Sequence, residues 1–264
     1  MSLKLYHAEP VANSLKTLIS LKEKGLPFES VYVDLHKFEQ HEPWFVAINA
    51  EGQVPVLDHA GVIITHSTVI NEYLEDAFRD APRLRPGDAV GKARMRYWNK
   101  FVDEHVTNYV SMWGWHRMVG VIARNVESGE FERLMSRIPL FEQREKWRTA
   151  RLGFSKEDLA NATRKIGVAV DKAEEQLRKC EWLAGDEYTL ADGNFFSHCG
   201  MMLERMFPEI GNADRCPRLL DWVQRMRERP GVAAALSMPD HTNPALRTFT
   251  GEATWQPPTR ATDG

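Results

Sequence analysis

Cysteine is scarce in this chain, and its scarcity argues against two classes of site. The 264 residues include only three cysteines, Cys180, Cys199 and Cys216, which form neither a Cys-x-x-Cys pair nor a spacing typical of metal ligands. A reducing cytosol also disfavours a structural disulfide. We therefore expect three ordinary buried or half-buried thiols, and the sequence predicts neither a metal site nor a disulfide framework.

An excess of positive charge and long apolar runs are lacking as well. The 34 lysines and arginines against 37 aspartates and glutamates give a net charge of -3, and no basic run is present to bind a polyanion. No window approaches ~20 uninterrupted apolar residues, and the opening MSLKLYHAEP is too short and polar for a secretory signal. We expect a cytoplasmic protein with no nucleic-acid partner and no membrane span.

The first 81 residues alternate between strand and helix patterns. Asn13 or Ser14 can cap a helix that ends at Gly25, and a second helix opens at residues 65–67 and continues to Phe78. The order is βαβ followed by ββα, an α/β arrangement whose mixed sheet contains both a parallel crossover and an antiparallel hairpin. Strand patterns occur at residues 3–6, 28–33, 52–58 and 62–64.

Strand signals end at a stretch rich in proline, arginine and glycine, residues 82–88, which is typical of a linker. The sequence therefore predicts a first domain over residues 1–81, an all-helical domain over residues 89–253 and a flexible tail over residues 254–264. The helical patterns run through residues 89–124, 128–151, 155–179, 189–206 and 215–229, and the last stops at Arg229-Pro230-Gly231.

Four local patterns together resemble the glutathione transferase superfamily, and they occur in the family's order along most of the chain. The resemblance implies a thioredoxin-like N-terminal domain that binds glutathione as co-substrate, followed by an all-α domain that lines the site of the electrophile. The patterns are Asn13-Ser14 at the first helix start, Gly52-Gln53-Val54-Pro55-Val56-Leu57, His66-Ser67-Thr68-Val69-Ile70, and Trp182-Leu183-Ala184-Gly185-Asp186 with Tyr188-Thr189-Leu190-Ala191-Asp192.

The resemblance assigns glutathione contacts to several of these residues. In the family the proline of the second pattern is cis, which lets Val54 pair with the cysteinyl part of glutathione; the bland alternative is that Pro55 is a plain edge-strand proline. Gln53 and Gln40 are further expected contacts. Ser67 opens a helix whose free N–H groups and dipole suit the γ-glutamyl carboxylate, although it could also be only a cap.

Thr189 and Asp192 have a structural interpretation instead. Thr189-x-x-Asp192 matches a capping box in which aspartate replaces the usual glutamate or glutamine. The loss of this motif should damage folding rather than chemistry.

Ser14 and Asn13 are the candidate catalytic residues. The thiol of glutathione should resemble free cysteine, with a pKa of about 8.5, and the thiolate is the nucleophile. Lowering that pKa by ~2 units requires ~2.7 kcal/mol, which one hydroxyl donor and a helix N-terminus can supply. Ser14 offers both and Asn13 can add an amide donor; the alternative is that both residues only cap the helix.

His66 departs from the family pattern. The position before the serine usually holds glutamate, glutamine or aspartate, which receives the γ-glutamyl ammonium. A neutral imidazole can accept a hydrogen bond from an ammonium, whereas a protonated imidazole repels it. We therefore expect weaker glutathione binding, which worsens as the pH falls below ~6.5; the alternative is that a carboxylate from a partner subunit compensates.

The opening of the chain sharpens the resemblance. The pattern LKLYxxxPxANSLKxLxxLxEKGLxFExVxVDxxKFEQHxxWFxxIN, with the insertion around residues 139–148, resembles bacterial glutathione-dependent β-etherases of lignin catabolism. The implied reaction is cleavage of β-O-4 aryl ethers of α-keto lignin-derived dimers, without a metal: the glutathione thiolate attacks the β-carbon and a phenol leaves. Bulky side chains on the helices that could line the aromatic pocket are Tyr109, Met112, Trp113, His116, Phe141 and Trp147.

Two other functions share the same glutathione residues. One is a general glutathione transferase that acts on other aromatic electrophiles, and the other is a weakly active or non-catalytic subunit, for which His66 is the best support. The resemblance also implies a homodimer, or a heterodimer with a paralogue. The stereoisomer preferred and the leaving aryl group do not follow from the sequence.

Overall fold

The first part of the protein is built on a mixed four-stranded sheet. The computed structural model describes residues 2–200 and 203–241, so the predicted tail lies outside the described residues. The strand order is β2-β1-β3-β4, with β1 parallel to β2 and β3 antiparallel to both β1 and β4. The expected βαβ–ββα arrangement is therefore confirmed. The strands are β1 (Leu3–His7), β2 (Glu29–Tyr32), β3 (Val56–His59) and β4 (Val62–Thr65).

Three helices accompany the sheet: α1 (Ala12–Glu23), α2 (Pro43–Val46) and α3 (Ser67–Ala77). The expectation that Asn13 or Ser14 caps α1 is wrong. The cap is Val11, whose backbone is extended and whose carbonyl accepts the first helical hydrogen bond, from the Leu15 N–H at 3.2 Å. Ser14 consequently lies in the first turn of the helix, where its side chain faces inward.

The second part is helical. The first three helices, α4 (Ala89–Phe101), α5 (Thr107–Gly114) and α6 (Gly120–Asn125), are continuous with one another. They are joined by π-helical turns at Val102–Val106 and Trp115–Val119, so together they occupy the helical stretch predicted over residues 89–124. A third π-helical turn, Phe196–Gly200, comes after α10. The other helices are α7 (Ser128–Arg137), α8 (Phe141–Leu152), α9 (Lys156–Leu177), α10 (Leu190–Phe195), α11 (Leu203–Met206), α12 (Pro217–Glu228) and α13 (Pro230–Leu236).

At one proline the structure departs from the predicted helix limits, and at another it agrees with them. The helix predicted over residues 128–151 is broken between α7 and α8, because Ile138 is forced into an extended conformation before Pro139. The stop predicted at Arg229-Pro230-Gly231 is confirmed, since α12 ends at Glu228. Pro230 is also the first residue of α13, a position that suits proline because its N–H would be unsatisfied there in any case.

α1 lies at the junction of the two parts. It packs against α3 on one side and against α10, α13 and the turn Phe196–Gly200 on the other. Buried amides cross the junction: Asn71 Nδ2 donates to Asn194 Oδ1 at 3.2 Å, and Asn194 Nδ2 donates to Asn99 Oδ1 at 2.8 Å. α1 is therefore packed between elements of both parts.

The capping box at the start of α10 is confirmed. The Thr189 hydroxyl accepts from the Ala191 N–H, and the Asp192 carboxylate accepts from the Thr189 N–H at 2.9 Å. Cys180, Cys199 and Cys216 are free thiols, and the last two are buried. Among the described residues, no helix is both long and apolar enough to cross a bilayer.

Candidate functional site

Ser14 is the best placed hydroxyl of the candidate site. It is buried in the first turn of α1, and its Oγ accepts a hydrogen bond from the Ala8 N–H at 3.1 Å. This bond fixes the oxygen through a lone pair and leaves the hydroxyl hydrogen for donation. A thiolate placed at this turn would meet both a hydroxyl donor and the positive end of the helix dipole.

The first turns of α1 and α3 converge. Ser67 Oγ donates to Asn13 Oδ1 at 3.4 Å, so two helix N-termini lie side by side. Ala12, the first residue of α1, and His66, which precedes α3, have positive φ angles of 48° and 64°. Such backbone conformations are disfavoured for residues other than glycine and concentrate at functional sites. Two adjacent helix N-termini form a suitable place for anionic groups.

The segment before β3 has the geometry that the resemblance implied. The Val54–Pro55 peptide bond is cis, and the Gln53 carbonyl accepts from Asn49 Nδ2 at 2.8 Å. Val54 and Gln53 are half-buried and Pro55 is buried. The half-buried backbone of Val54 is therefore held in a fixed conformation beside the sheet.

Gln40 and His41 are buried together on a short turn, Glu39–His41. Gln40 Oε1 and His41 Nδ1 have no hydrogen-bond partner among the described residues, and such orphaned polar atoms require an explanation such as a ligand or water. Burial lowers the pKa of His41 to about 4, so the imidazole is neutral. Gly52 is needed opposite it, since a Cβ there would lie 2.5 Å from His41 Nδ1.

His66 has a carboxylate neighbour that the sequence did not reveal. His66 Nε2 lies 3.5 Å from Glu51 Oε2, and both side chains are largely open to solvent. A carboxylate beside His66, which the sequence analysis considered only from a partner subunit, is thus present in the same chain. The cis-proline segment and the hairpin of β3 and β4 lie between the two positions along the chain, so no local pattern could have paired them.

The predicted electrophile residues divide into two groups. Tyr109 and Trp113 pack against the main core, where Trp113 Nε1 donates to Thr163 Oγ1 at 3.1 Å. His116 lies edge-on to Trp113, and its pKa is lowered by burial and by the nearby Arg124. Met112 is half-buried on the same helix as Tyr109 and Trp113, α5.

Trp147 belongs to a separate aromatic cluster, which we define as Phe38, Trp115 and Trp147 with the apolar residues around them. Trp147 lies 4.4 Å from the Phe38 ring and 5.0 Å from the Trp115 ring, measured between centroids. Phe141 does not join this cluster. Its side chain is 61% exposed at the start of α8, where the Arg144 guanidinium lies over the ring.

One residue in this region was missed altogether. Lys146, on α8 beside Trp147, turns inward, and its Nζ donates to Ser111 Oγ at 2.7 Å. A lysine on an amphipathic helix is normally assigned to the solvent-exposed face. Sequence analysis therefore did not consider Lys146 as a site residue. The only signal in the sequence was its position next to a tryptophan.

The arrangement suits an anionic ligand. Among residues 2–200 and 203–241, no group of three or more histidine, cysteine, aspartate or glutamate side chains is arranged to hold a metal ion. The starts of α1 and α3 and the cis Val54–Pro55 bond meet at one end of the strands β1, β3 and β4.

Comparison with known proteins identifies two family domains. Residues 1–76 match the glutathione S-transferase N-terminal domain and residues 131–230 match the glutathione S-transferase C-terminal domain. Protein LigF of Sphingobium sp. (strain NBRC 103272 / SYK-6) is 45% identical over 236 residues, which cover 88% of this chain and 92% of LigF. Glutathione S-transferase F10 of Arabidopsis thaliana is 30% identical over 70% of this chain and 74% of its own length.

The solved structures agree. The crystal structure of β-etherase LigF from Sphingobium sp. strain SYK-6 superposes with a TM-score of 0.86 at 44% identity, covering 89% of this chain and 98% of that one. Glutathione transferase F7 from Populus trichocarpa, at 23% identity, shares the fold with a TM-score of 0.69 over 89% of this chain and 99% of that one.

Proposed function

The chain belongs to the glutathione S-transferase family, and from this premise we propose that it cleaves β-aryl ethers with glutathione as co-substrate. The observation that carries the proposal is the likeness to β-etherase LigF, at 45% identity over almost the full length of both chains. In this proposal residues 1–81 bind glutathione, and the helices of residues 89–253 hold the aromatic ether, which are the domain limits predicted from the sequence.

The proposed reaction is an SN2 displacement. Ser14 donates its hydroxyl hydrogen to the glutathione sulfur and, with the first turn of α1, favours the thiolate. The sulfur lone pair attacks the β-carbon of an α-keto β-O-4 ether, the C–O bond breaks, and a phenol is released while a glutathione thioether remains. The neighbouring ketone activates that carbon, so the protein contributes alignment and thiolate stabilisation.

The glutathione contacts in this proposal are consistent with the site geometry. Val54, fixed by the cis bond to Pro55, pairs with the cysteinyl backbone, and Gln53 and Gln40 contact the remainder of the peptide. The N–H groups at the start of α3, beginning with Ser67, receive the γ-glutamyl carboxylate. Asn13 lies within hydrogen-bond reach of Ser67 and serves as the second donor toward the sulfur.

Incubation with glutathione and a racemic α-keto β-aryl ether dimer tests the proposal. We expect a phenol and a glutathione thioether in equal amounts, and chiral chromatography of the remaining substrate reports which stereoisomer reacts. The parallel substrate is an activated aryl halide. Turnover of the halide without any cleavage of the ether would replace the proposal with that of a general glutathione transferase.

Replacing Ser14 with alanine should lower kcat/KM for ether cleavage roughly tenfold, because a lone neutral hydrogen bond is worth ~1–1.5 kcal/mol. Ser20→Ala is a matched control on the same helix: Ser20 is also buried, but its hydroxyl donates to the Lys16 carbonyl. Stopped-flow titration of the bound thiol should show a higher apparent pKa in Ser14→Ala alone. Full activity of that variant would remove Ser14 from the mechanism.

Replacing Glu51 with glutamine should weaken glutathione binding about two- to fivefold, the range expected for an exposed charge pair. The Glu51 carboxylate lies 3.5 Å from His66 Nε2, and it is the acid that we assign to the γ-glutamyl ammonium. Calorimetric titration measures the affinity, and the exposed control Glu104→Gln should leave it unchanged. Unchanged affinity in Glu51→Gln would contradict this role of the carboxylate.

Dimerisation is typical of the family, and we place this chain in the cytoplasm as a homodimer or a heterodimer with a paralogue. Three large apolar side chains are exposed on α3 and α4: Val69, Val90 and Tyr97 are 55%, 60% and 52% accessible. Apolar exposure on helices of both domains is what a subunit interface would cover.

A further inference from the structure

Lys146 is a half-buried cation whose contacts within the protein are with neutral groups. Its Nζ donates to Ser111 Oγ at 2.7 Å and lies 4.7 Å from the centroid of the Trp115 ring. Both contacts are with neutral groups. A cation–π contact and one hydroxyl acceptor compensate only part of the lost hydration of an ammonium group.

Lys146 has no ion-pair partner among the described residues. The carboxylates nearest in sequence are Glu142 and Glu145 on the same helix, and Glu145 pairs with Arg148 instead. The elements packed against α8 carry His116 and Arg117 on the turn Trp115–Val119, Arg124 on α6, and Glu130 and Glu132 on α7, whose carboxylates pair with Arg133 and Arg148. Tyr109 is the titratable side chain of α5, the helix of Ser111. A half-buried ammonium without a counter-charge is costly to keep, which points to a role beyond stability.

The aromatic residues around Lys146 pack against the segment that contains Phe38 and Gln40, which belongs to the proposed glutathione site. Trp115, under the ammonium, packs on Trp147, which in turn packs on Phe38, two residues before Gln40. The preceding helix, α7, is tied to this segment by an ion pair between Arg137 and Glu42, at 2.7 Å. The aromatic rings beside the ammonium group therefore reach the glutathione domain, and such aromatic surroundings suit a flat ligand.

We propose that Lys146 is a further catalytic residue, the acid that protonates the aryl oxide leaving group. This inference rests on the proposed ether cleavage. The sulfur lone pair forms the C–S bond, the C–O electron pair leaves on the aryl oxygen, and the Nζ proton passes to that oxygen. The products are the glutathione thioether and a neutral phenol. The neutral amine then recovers a proton as the next glutathione ionises.

The acidity of Lys146 suits this task. Burial lowers its pKa to about 8, whereas a phenol resembles the tyrosine side chain at about 10. Proton transfer from the ammonium to the departing phenolate is therefore downhill, and the acid is close to the working pH. Ser111 keeps the amine oriented between turnovers through its hydrogen bond.

Leaving-group dependence tests the assignment. Two α-keto ethers with the same carbon skeleton are compared, one releasing an electron-rich methoxyphenol and the other a much more acidic nitrophenol. In Lys146→Met we expect kcat/KM to fall about a hundredfold for the methoxyphenyl ether and to change little for the nitrophenyl ether, which needs no acid. The exposed control Lys165→Met should leave both substrates unaffected.

A pH profile gives a second readout that a packing role would not move. For the methoxyphenyl ether, wild-type kcat/KM should decline above pH 8 as the ammonium loses its proton. Lys146→Arg keeps the charge and the contact with Trp115, but its guanidinium stays protonated, so this decline should disappear. The arginine variant also serves if Lys146→Met does not fold.

The outcomes separate the two proposals. Equal losses on both ethers, or no loss on either, in Lys146→Met would overturn the assignment while the proposed function stands. A decline above pH 8 that persists in Lys146→Arg would also overturn it. A wild-type protein that cleaves neither ether with glutathione would overturn the proposed function itself, and with it this role for Lys146.

Discussion

Replacing Asp192 with alanine should lower the free energy of unfolding by about 3–5 kcal/mol, and much of the protein should be lost to aggregation on expression. The fully buried carboxylate accepts from the Leu183 N–H, the Thr189 N–H and Trp222 Nε1, at 3.0, 2.9 and 3.0 Å, and also from the Thr189 hydroxyl. Alanine removes the acceptor from three buried N–H donors at once, and each unsatisfied donor costs ~1–3 kcal/mol.

The charge of Asp192 is retained at neutral pH despite its burial. Desolvation raises the pKa of this carboxyl to about 6, while the four donors around it act in the opposite direction. At pH 7.5 the carboxyl group is therefore ionised, and all four of these donor groups are oriented to donate hydrogen bonds to it. Asp192→Asn should also destabilise the fold. Its side-chain NH₂ group would replace one carboxylate oxygen and would face N–H and O–H groups that are themselves donors.

Urea unfolding at pH 7.5, monitored by tryptophan fluorescence, measures the loss of stability. Thr189→Ser is the matched control: it retains the hydroxyl and the backbone N–H of the capping box and should cost less than about 1 kcal/mol. The folded fraction of Asp192→Ala should cleave substrate with unchanged kcat/KM. A variant within about 1 kcal/mol of wild type, or a folded variant with impaired chemistry, would contradict the structural role.

The parts of the fold that were predictable are those specified by neighbouring residues. Alternation marked the first two strands, and the spacing Thr189-x-x-Asp192 marked the start of α10. The cis bond at Pro55 came from the family resemblance rather than from local physics. Such features depend on a few consecutive side chains and on the backbone preferences of proline, serine and threonine.

The effect of proline on helix limits was only partly predictable. The stop at the end of α12 was recognised, but the break at Pro139 and the new helix that begins at Pro230 were not. Proline ends a preceding helix and also suits the first position of a following one, so the sequence alone does not tell whether a new helix begins there. Tertiary packing decides this at Pro230: Gly231 lies directly against the backbone of Glu23, which leaves room for α13 to dock on α1.

The residues of the candidate site that lie at helix starts were predictable from the sequence, whereas the contacts between them were not. Ser14, Asn13 and Ser67 lie at the starts of helices, which are local features. Their juxtaposition, and the contacts Glu51–His66 and Lys146–Ser111, join residues that are distant in sequence. Single-sequence patterns carry no information on such pairs, and charged members are assigned by default to the solvated surface.

Replacing Glu75 with glutamine should also lower the free energy of unfolding by about 3–5 kcal/mol, because it leaves the buried Lys24 ammonium group without a counter-charge. Lys24 Nζ donates to Glu75 Oε1 at 2.7 Å, and the two side chains are 1% and 3% exposed. Glutamine can still accept a hydrogen bond from the Leu84 N–H, as Glu75 does at 3.2 Å. The measured loss of stability therefore reports the missing counter-charge of Lys24. Breaking a buried pair by neutralising one partner is far more costly than losing a pair at the surface.

A double substitution distinguishes this explanation from simple loss of packing. Lys24→Met/Glu75→Gln removes both charges and should recover most of the stability lost in Glu75→Gln, since a neutral pair of similar volume needs no hydration. The exposed pair Lys179–Glu175, 63% and 72% accessible, supplies the matched control. Glu175→Gln should change the free energy of unfolding by less than about 1 kcal/mol. If the double variant is as unstable as the sum of its single substitutions, the two charges do not interact, and Lys24 stabilises the junction of α1 and the linker only through its bond to the Pro82 carbonyl.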